Sequence, residues 1–246
     1  MLPISLKEMD NVKLMDRTDT KYTFALRELG EILNEIKDKY RILEIDGKNI
    51  SRYETLYFDT SDLSLYSQHH SGKLNRYKIR HRTYVDTNAG YLEIKFKNNK
   101  SRTIKSRIKK QTFVKEFDKD SQDFLKKSLP FDPSSLVPVM WVNYNRLTLV
   151  NKETPERVTI DLQLQFVKDG GTLNFNSLVI AEIKQESKNP SAFIRVMKAR
   201  HKREGSISKY CMGIAVSCKG IKMNNFKEKL LTLKKITTYD FTTSGL

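Results

Sequence analysis

The 246-residue sequence contains no apolar run of about 18 residues, the length at which a segment becomes a candidate membrane-spanning helix. It has only two cysteines, Cys211 and Cys218, and its four histidines form no cluster with them at zinc-ligand spacing. Both cysteines are therefore interpreted as buried thiols, which suits a reducing, cytoplasmic setting. Residues 1–5 also lack the charged and apolar segments that open a secretory signal peptide.

Acidic residues are scarce, because 29 Asp and Glu face 45 Lys and Arg, which gives a formal net charge of +16. Hydrophobic residues make up 38% of the chain and aromatic residues 10%, which is enough for a folded core and excludes a disordered basic tail. A folded domain with this charge is predicted to meet a polyanion. Nucleic acid, an anionic membrane surface and polyphosphate all qualify.

Short segments rich in β-branched and aromatic residues predict many antiparallel strands, with helices near both ends of the chain. The predicted strands cover 50–59, 76–84, 91–97, 103–108, 111–117, 140–150, 157–167 and 177–185. The predicted helices cover 25–38, 121–129, 190–202, 206–216 and 224–235. No internal repeat or low-complexity linker divides the sequence. The predicted fold class is therefore a single α+β domain over residues 1–246.

Cationic side chains recur at every second position of several predicted strands, which places them on one face of each strand. In the segment 76–84 they are Arg76, Lys78, Arg80 and Arg82. The corresponding positions of the next strands are Glu93, Lys95, Lys97, Lys105, Arg107 and Lys109, and in 157–166 they are Arg157, Thr159, Asp161, Gln163 and Gln165. If such a sheet curls into a barrel, its charged face becomes the lining of a tunnel.

The simpler interpretation is a sheet with one solvated face, where Lys and Arg are common. A solvated face ordinarily mixes charges, because like charges opposite one another repel, yet residues 95–110 contain eight basic residues and no acidic one. The acids Asp19, Glu93 and Glu182 each precede a lysine by two positions. Sparse carboxylates among cations suit a site for a divalent metal and a phosphate chain.

Nine short motifs follow the order found in a known family, over residues 17–213. They are Arg17–Tyr22, Tyr53–Thr60, Lys78–Arg82, Glu93–Lys95, Lys105–Arg107, Tyr144–Arg146, Arg157–Asp161, Glu182–Lys184 and Ser208–Tyr210. The ordered set resembles the VTC (vacuolar transporter chaperone) domain, the polyphosphate polymerase branch of the triphosphate tunnel metalloenzyme, or CYTH-like, superfamily. One departure is Asp19, which stands where the family often has the longer Glu.

This resemblance implies an antiparallel β-barrel tunnel of about eight strands with capping helices, in which ATP is the donor for a growing polyphosphate chain. The implied catalytic residues are Lys21, Arg80, Arg82, Lys95, Arg146 and Lys209. The implied phosphate-binding residues are the same set together with Lys78, Lys105, Arg107 and Lys184. Glu182 is the implied principal ligand of Mn²⁺ or Mg²⁺, with Asp161 and Glu93 as secondary candidates.

Two other functions fit the same residues. If water replaces the chain end as the nucleophile, the domain is a metal-dependent inorganic or nucleoside triphosphatase. The other alternative is a module that binds polyphosphate without catalysis. Nucleic acid is not an expected partner, because the strand aromatics are predicted to lie mostly on the face opposite the cations, away from any base held there. The resemblance also implies the shorter, bacterial type of the domain, with association to a membrane protein at the inner face of a membrane. It leaves the oligomeric state open.

Overall fold

The computed structural model describes residues 1–10, 18–100, 102–111, 116–186 and 191–237, and in this part of the chain eleven strands form one sheet. The strands are β1 Pro3–Ile4, β2 Thr18–Ala25, β3 Tyr40–Leu43, β4 Ser51–Asp59, β5 Arg76–Tyr84, β6 Ala89–Lys97, β7 Thr103–Lys109, β8 Val137–Asn151, β9 Glu156–Lys168, β10 Gly171–Phe175 and β11 Leu178–Gln185. The helices are α1 Leu6–Asp10, α2 Leu29–Ile36, α3 Ser64–His70, α4 Lys119–Ser128, α5 Ala192–Ala199, α6 Lys209–Ser217 and α7 Lys227–Ile236.

The main path of the sheet runs β2–β11–β9–β8–β4–β5–β6–β7, and neighbours on this path are antiparallel. The predicted architecture of about eight antiparallel strands with capping helices is therefore confirmed. In the described residues β2 and β7, the two ends of the path, do not pair with each other, so hydrogen bonds do not close the sheet into a full barrel. None of the described helices is long and apolar enough to cross a bilayer.

Most predicted elements are present with small shifts at their ends, and β5 spans the predicted 76–84. The helix predicted over 25–38 is shorter, because β2 continues to Ala25 and the α-helix begins at Leu29. The strand predicted over 111–117 is wrong for the residues at its two ends that the structure describes, which are not in a strand, and its remaining residues lie outside the described part. Arg17 of the first motif lies outside it too.

The two faces of the sheet differ in chemistry along β5 and β6. Ile79 and Ile94 are almost fully buried and pack with Leu125 of α4 on one face, called here the outer face. A second outer core joins α2 and α5 to β2, β8, β9 and β11. The opposite face, called the inner face, carries Lys78, Arg80, Arg82, Glu93, Lys95, Arg146 and Asp161. The apolar surface buried in the outer cores stabilises the fold, and this stabilisation offsets the cost of placing charged residues on the inner face.

Part of the inner face is nevertheless apolar, because α6 packs on it. Ile214 of this helix is fully buried in a core with residues of β8, β9 and β11. Gly213 allows the close approach, since a Cβ there would lie 2.4 Å from the Met140 sulfur and 2.6 Å from the Phe166 ring. The helix therefore fills one part of the inner face and presents Lys209, in its first turn, to the charged residues.

A β-bulge at Gln163 overturns the predicted alternation in β9. Gln163 has a φ of +50°, and the register against β8 shifts at this point. An extra residue on one strand reverses the order of side chains beyond it. Leu164 and Phe166 consequently pack in the inner core, so the prediction that Gln163 and Gln165 share the face of Asp161 is wrong beyond the bulge.

Asp59, at the end of β4, is fully buried and joins the sheet to two helices. Its carboxylate accepts hydrogen bonds from the backbone N–H groups of Leu65 and Tyr66 at the start of α3, each at 2.8 Å. The residue that precedes α3, Leu63, has a φ of +58° and offers no side-chain cap, so Asp59 supplies the acceptor. The same carboxylate accepts from the Tyr210 hydroxyl and so fixes α6 against β4.

We predict that Asp59→Ala lowers the free energy of unfolding by about 3 kcal/mol, because buried donors on two helices lose a charged acceptor. Urea denaturation of the purified protein measures the change. Asp62→Ala is the matched control, since Asp62 is exposed and its side chain bonds to the nearby residues Thr60 and Ser64. The effect of this substitution is expected to stay within about 0.5 kcal/mol. Equal effects of the two substitutions would contradict the structural role of Asp59.

Candidate active site

Three successive rows of side chains, next to the row of Arg82, Tyr91 and Lys109, cross the inner faces of β5, β6 and β7. The cross-strand partners are Arg80, Glu93 and Arg107 in the first row, Lys78, Lys95 and Lys105 in the second, and Arg76, Lys97 and Thr103 in the third. The second row, called here the lysine row, contains no acid. Like charges directly opposite each other destabilise a sheet. An anion lying against the lysine row would relieve that repulsion.

Arg80 is held in place by two partners on the inner face. Its Nε lies 2.6 Å from Glu93 Oε2, and its Nη1 donates a hydrogen bond of 3.3 Å to the Tyr57 hydroxyl. Burial of Glu93 favours its neutral form, but the guanidinium groups of Arg80 and Arg82 outweigh this and lower the pKa of that carboxyl. The ion pair therefore persists at neutral pH and orients the Arg80 side chain.

Asp161, only 3% exposed, joins a cation of the sheet to a cation of α6. Arg146 Nε and Nη2 donate to its two carboxylate oxygens at 2.6 and 2.9 Å, and Lys209 pairs with the same carboxylate. Burial opposes ionisation, but the two cations outweigh it and lower the pKa of Asp161. With both oxygens engaged, Asp161 is suited to positioning two cations and less suited to the secondary metal role that the sequence resemblance implied.

Glu182 of β11 lies between two lysines. Its oxygens are 2.8 Å from Lys21 Nζ and 3.3 Å from Lys184 Nζ. Burial acts against the charged form, but the two lysines hold the pKa of Glu182 well below its usual range. Lys184 also donates to the Thr159 hydroxyl at 3.2 Å, and burial lowers the pKa of Lys184 to about 8 in spite of Glu182. Here the sheet holds one carboxylate and two cations within ion-pair distance.

A cavity of about 1190 Å³ opens beside the lysine row. The sheet residues that line it include Asp19, Lys21, Arg76, Lys78, Lys95, Lys97, Thr103 and Lys105, and the segments outside the sheet contribute residues such as His69, Ser208, Phe226 and Lys229. Its volume exceeds the roughly 300–1,000 Å³ that pockets for drug-sized ligands occupy. The cavity therefore has room for more than one small anion.

Two groups at the cavity have much-lowered pKa values. Burial, with the neighbouring charge of Lys78, lowers the pKa of Lys95 to about 7. Burial, again with Lys78 nearby, lowers the pKa of His69 to about 2, so the imidazole is neutral at physiological pH. Lys78 itself donates a hydrogen bond of 2.8 Å to Ser208 Oγ. A bound anion would favour the charged form of Lys95, because it offsets the neighbouring positive charge.

Several tyrosine rings lie on the inner face among the cations. The Arg146 guanidinium lies 4.9 Å from the centre of the Tyr53 ring and 5.2 Å from that of Tyr144. The Arg107 guanidinium lies 4.5 Å from the centre of the Tyr91 ring. The prediction that aromatic residues mostly avoid the cationic face is wrong for these rings. Their alternation is visible in the sequence, but the face that each strand turns inward depends on its pairing.

The structure places the predicted phosphate-binding residues on the inner face or at the start of α6, and four of them, Lys21, Lys78, Lys95 and Lys105, line the cavity. Lys105 and Arg107 are exposed on the edge strand β7, whereas the other members are at least partly buried. Their role in binding phosphate stays a prediction. Sequence reasoning missed His69 as a cavity residue, since an adjacent pair of histidines gives no signal of the fold around it.

A divalent metal was implied by the sequence resemblance, and the residues fit one type of site. Across the described ranges, no group of three His, Cys, Asp or Glu side chains could hold a metal ion by itself. Mg²⁺ commonly binds through one or two carboxylates and takes its other ligands from substrate phosphates and water. Glu182 can supply such a single carboxylate. The arrangement therefore suits a cation that arrives with its phosphate ligand.

An antiparallel sheet that turns cations and scattered carboxylates toward a cavity is the arrangement that the sequence resemblance implied. A model of the VTC domain matches residues 16–218, most of the chain. The chain therefore belongs to the VTC domain family, as the order of its motifs indicated. Among curated proteins, none matches this chain.

Several solved structures resemble this one at low sequence identity. A candidate adenylate cyclase from Bacillus halodurans is 11% identical, with a TM-score of 0.48 over 79% of this chain and 96% of that chain. A candidate adenylyl cyclase from Hippeastrum, described as revealing a dominant triphosphatase activity, is 9% identical, with a TM-score of 0.47 over 82% and 98%. A conserved hypothetical protein from Pyrococcus furiosus is 12% identical, with a TM-score of 0.40 over 74% and 89%.

We predict that the stability of the protein falls as the pH drops from about 6.5 to 5. The folded-state pKa of His69 is lowered from 6.5 to about 2, so in this window the unfolded chain gains a proton at this site that the folded chain does not. One such proton costs up to about 1.4 kcal/mol per pH unit. Urea denaturation at several pH values measures the slope. His69→Gln should flatten it, and an unchanged slope in that variant would contradict the assignment.

Proposed function

We propose that this chain is a polyphosphate polymerase, which transfers the terminal phosphoryl group of ATP to a growing inorganic polyphosphate chain in the cation-lined tunnel. One observation carries the proposal. The cations do not end at the group around Glu182 but continue through the lysine row to Arg76 and Lys97, along the cavity. A single triphosphate does not need so long a track of cations, whereas a polymer of phosphate does.

The transfer needs little covalent participation from protein side chains. A terminal oxygen of the chain attacks the γ-phosphorus of ATP, which forms a new P–O–P bond. The bond from that phosphorus to the β,γ-bridging oxygen breaks, and ADP leaves with the electron pair. Arg80, Arg82 and Arg146 are the residues proposed to bind the non-bridging oxygens, because forked guanidinium donors match phosphate geometry. Their ion pairs and ring contacts fix these donors before the substrate arrives, which favours electrostatic stabilisation of the transition state.

Glu182 is the residue best placed to hold Mn²⁺ or Mg²⁺ next to the phosphates. A bound divalent ion supplies charge neutralisation at phosphate oxygens and orients the leaving group. If Glu182 held a metal ion, Lys21 and Lys184, which pair with it in this structure, would be available to bind phosphate oxygens. The charges of these three side chains can therefore be compensated in two ways, by one another or by a metal ion and its phosphate ligand.

A metal-dependent triphosphatase is the nearest alternative, since the same cations would hold its substrate. Hydrolysis needs a water molecule activated by a base. Three inner-face carboxylates, those of Glu93, Asp161 and Glu182, are ion-paired and have lowered pKa values, so each is a weak proton acceptor, which leaves Asp19 at the cavity as the candidate base. The end of a polyphosphate chain is already ionised and needs no base. This difference supports transfer to phosphate over transfer to water.

We predict that Glu182→Ala lowers metal-dependent turnover of ATP by about a hundredfold or more, because metal stabilisation of several kcal/mol is lost. Binding of inorganic tripolyphosphate should persist, since the surrounding cations remain. Steady-state kinetics and calorimetric titration measure the two effects. Glu186→Ala is the matched control, because Glu186 is exposed just beyond β11. Unchanged turnover in Glu182→Ala would contradict the metal assignment, and lost turnover with retained binding would exclude a purely binding module.

The direction of the chemistry is tested by incubating the purified chain with ATP and Mn²⁺. The proposal predicts inorganic polyphosphate of growing length together with ADP, resolved on a gel and by phosphate assay. Free phosphate without polymer would assign the tunnel to a triphosphatase. Neither product, with tripolyphosphate still bound, would assign it to a binding module.

A further inference from the structure

The chemistry of the inner face changes along the β5–β6 pair. The hairpin end carries Tyr84 and Tyr91, and the opposite end carries Arg76 and Lys97. Because a strand rises about 3.3 Å per residue, Tyr84 and Arg76 lie about 26 Å apart along β5. The tunnel therefore has an aromatic end, defined by Tyr84, Tyr91 and the neighbouring Arg107, and a lysine end, defined by the lysine row, Arg76 and Lys97.

The aromatic end consists of rings that contact one another and a guanidinium group. The Tyr84 ring centre lies 5.0 Å from that of Tyr53 and 6.0 Å from that of Tyr91, which it meets edge-on at 88°. The exposed Arg107 covers the Tyr91 ring at 4.5 Å. Tyr84 and Tyr91 are half-buried, so part of each side chain is exposed to solvent.

The hairpin that carries these rings is tied to the neighbouring strand. The Asp86 carboxylate accepts hydrogen bonds from the Arg52 backbone N–H at 2.6 Å and from the Arg52 Nε at 3.0 Å. This contact fixes the β5–β6 turn against β4. A ligand that stacks on Tyr84 or Tyr91 therefore meets rings that are already ordered, which reduces the entropy lost on binding.

We propose that Tyr84, Tyr91 and Arg107 form a nucleobase subsite, so that a nucleoside triphosphate binds with its base at the aromatic end of the tunnel and its phosphates toward the lysine end. This inference rests on the proposed function, because it orients the donor within the same tunnel. Bases stack on tyrosine rings and on guanidinium planes irrespective of sequence. The subsite therefore accepts purine and pyrimidine donors alike, whereas an inorganic phosphate chain makes no use of it.

A ring at the other end of the tunnel offers the competing position for a base. Phe226 lines the cavity near the lysine row. Its ring packs edge-on against Tyr66 and His70, with centres 6.0 and 5.2 Å away, and no guanidinium plane lies over it among the described contacts, where Lys229 approaches it at 5.6 Å. The aromatic end offers two rings and a stacked guanidinium, so it is the better platform for a base.

The test compares ATP with inorganic tripolyphosphate, which has the phosphates without the base. Calorimetric titration of the full chain with each ligand, in the presence of Mg²⁺, gives the ratio of the two dissociation constants. Tyr91→Ala should weaken ATP binding about tenfold, as expected for the loss of one stacking partner, and should leave tripolyphosphate binding unchanged. Tyr91→Phe keeps the ring and should keep the wild-type ratio. Unchanged tripolyphosphate binding also shows that the variant is folded.

Each other outcome overturns a distinct part of the account. A wild-type ratio in both Tyr91→Ala and Tyr84→Ala would overturn the nucleobase subsite and leave the proposed function intact. A loss of ATP affinity in Phe226→Leu instead would place the base at the lysine end and overturn the orientation. If the wild-type chain binds neither ligand, the proposed function fails and the subsite fails with it.

Discussion

Repulsion among the cations on the inner face is the constraint on which the rest of the structure depends. Three lysines stand directly opposite one another across β5, β6 and β7, and neighbouring rows add arginines. A sheet with such a face folds only because other interactions outweigh the repulsion. Two apolar cores on the outer face and a third under α6 supply that stabilisation.

The carboxylates on the inner face divide the cations into small balanced groups. Glu93 holds Arg80, Asp161 holds Arg146 with Lys209, and Glu182 holds Lys21 with Lys184. A buried charge without a partner costs several kcal/mol, whereas a paired one costs much less. The ion pairs therefore lower the free-energy cost of burying these charges, and they also fix the directions of the cationic side chains. The lysine row contains no such carboxylate, which is why the cavity beside it is the natural place for an added anion.

The sequence carries enough information to predict the faces of β5, β6 and β7, because these strands alternate regularly and contain no bulge. Alternation does not predict the faces of β9, because Gln163 takes a positive φ and its residue type gives no sign of this. Contacts between residues far apart in the sequence cannot be predicted from alternation either. The bond from Tyr210 to Asp59 joins positions 151 residues apart, and nothing local indicates that the last acid of the motif Tyr53–Thr60 is a structural acceptor. Tyr84 and Tyr91 share the parity of the cations on β5 and β6, so their face follows from the sequence, but the contact between their rings depends on how the two strands pair.

The central claim is that the inner face of this sheet binds a phosphate chain along its length. A crystal structure of the protein with inorganic polyphosphate and Mn²⁺ tests that claim most directly. We expect continuous density for the chain on the inner face, in contact with Arg80, Lys95 and Lys105, with the metal next to Glu182. Polyphosphate bound on the outer face or outside the cavity, with the inner-face ion pairs intact, would contradict it.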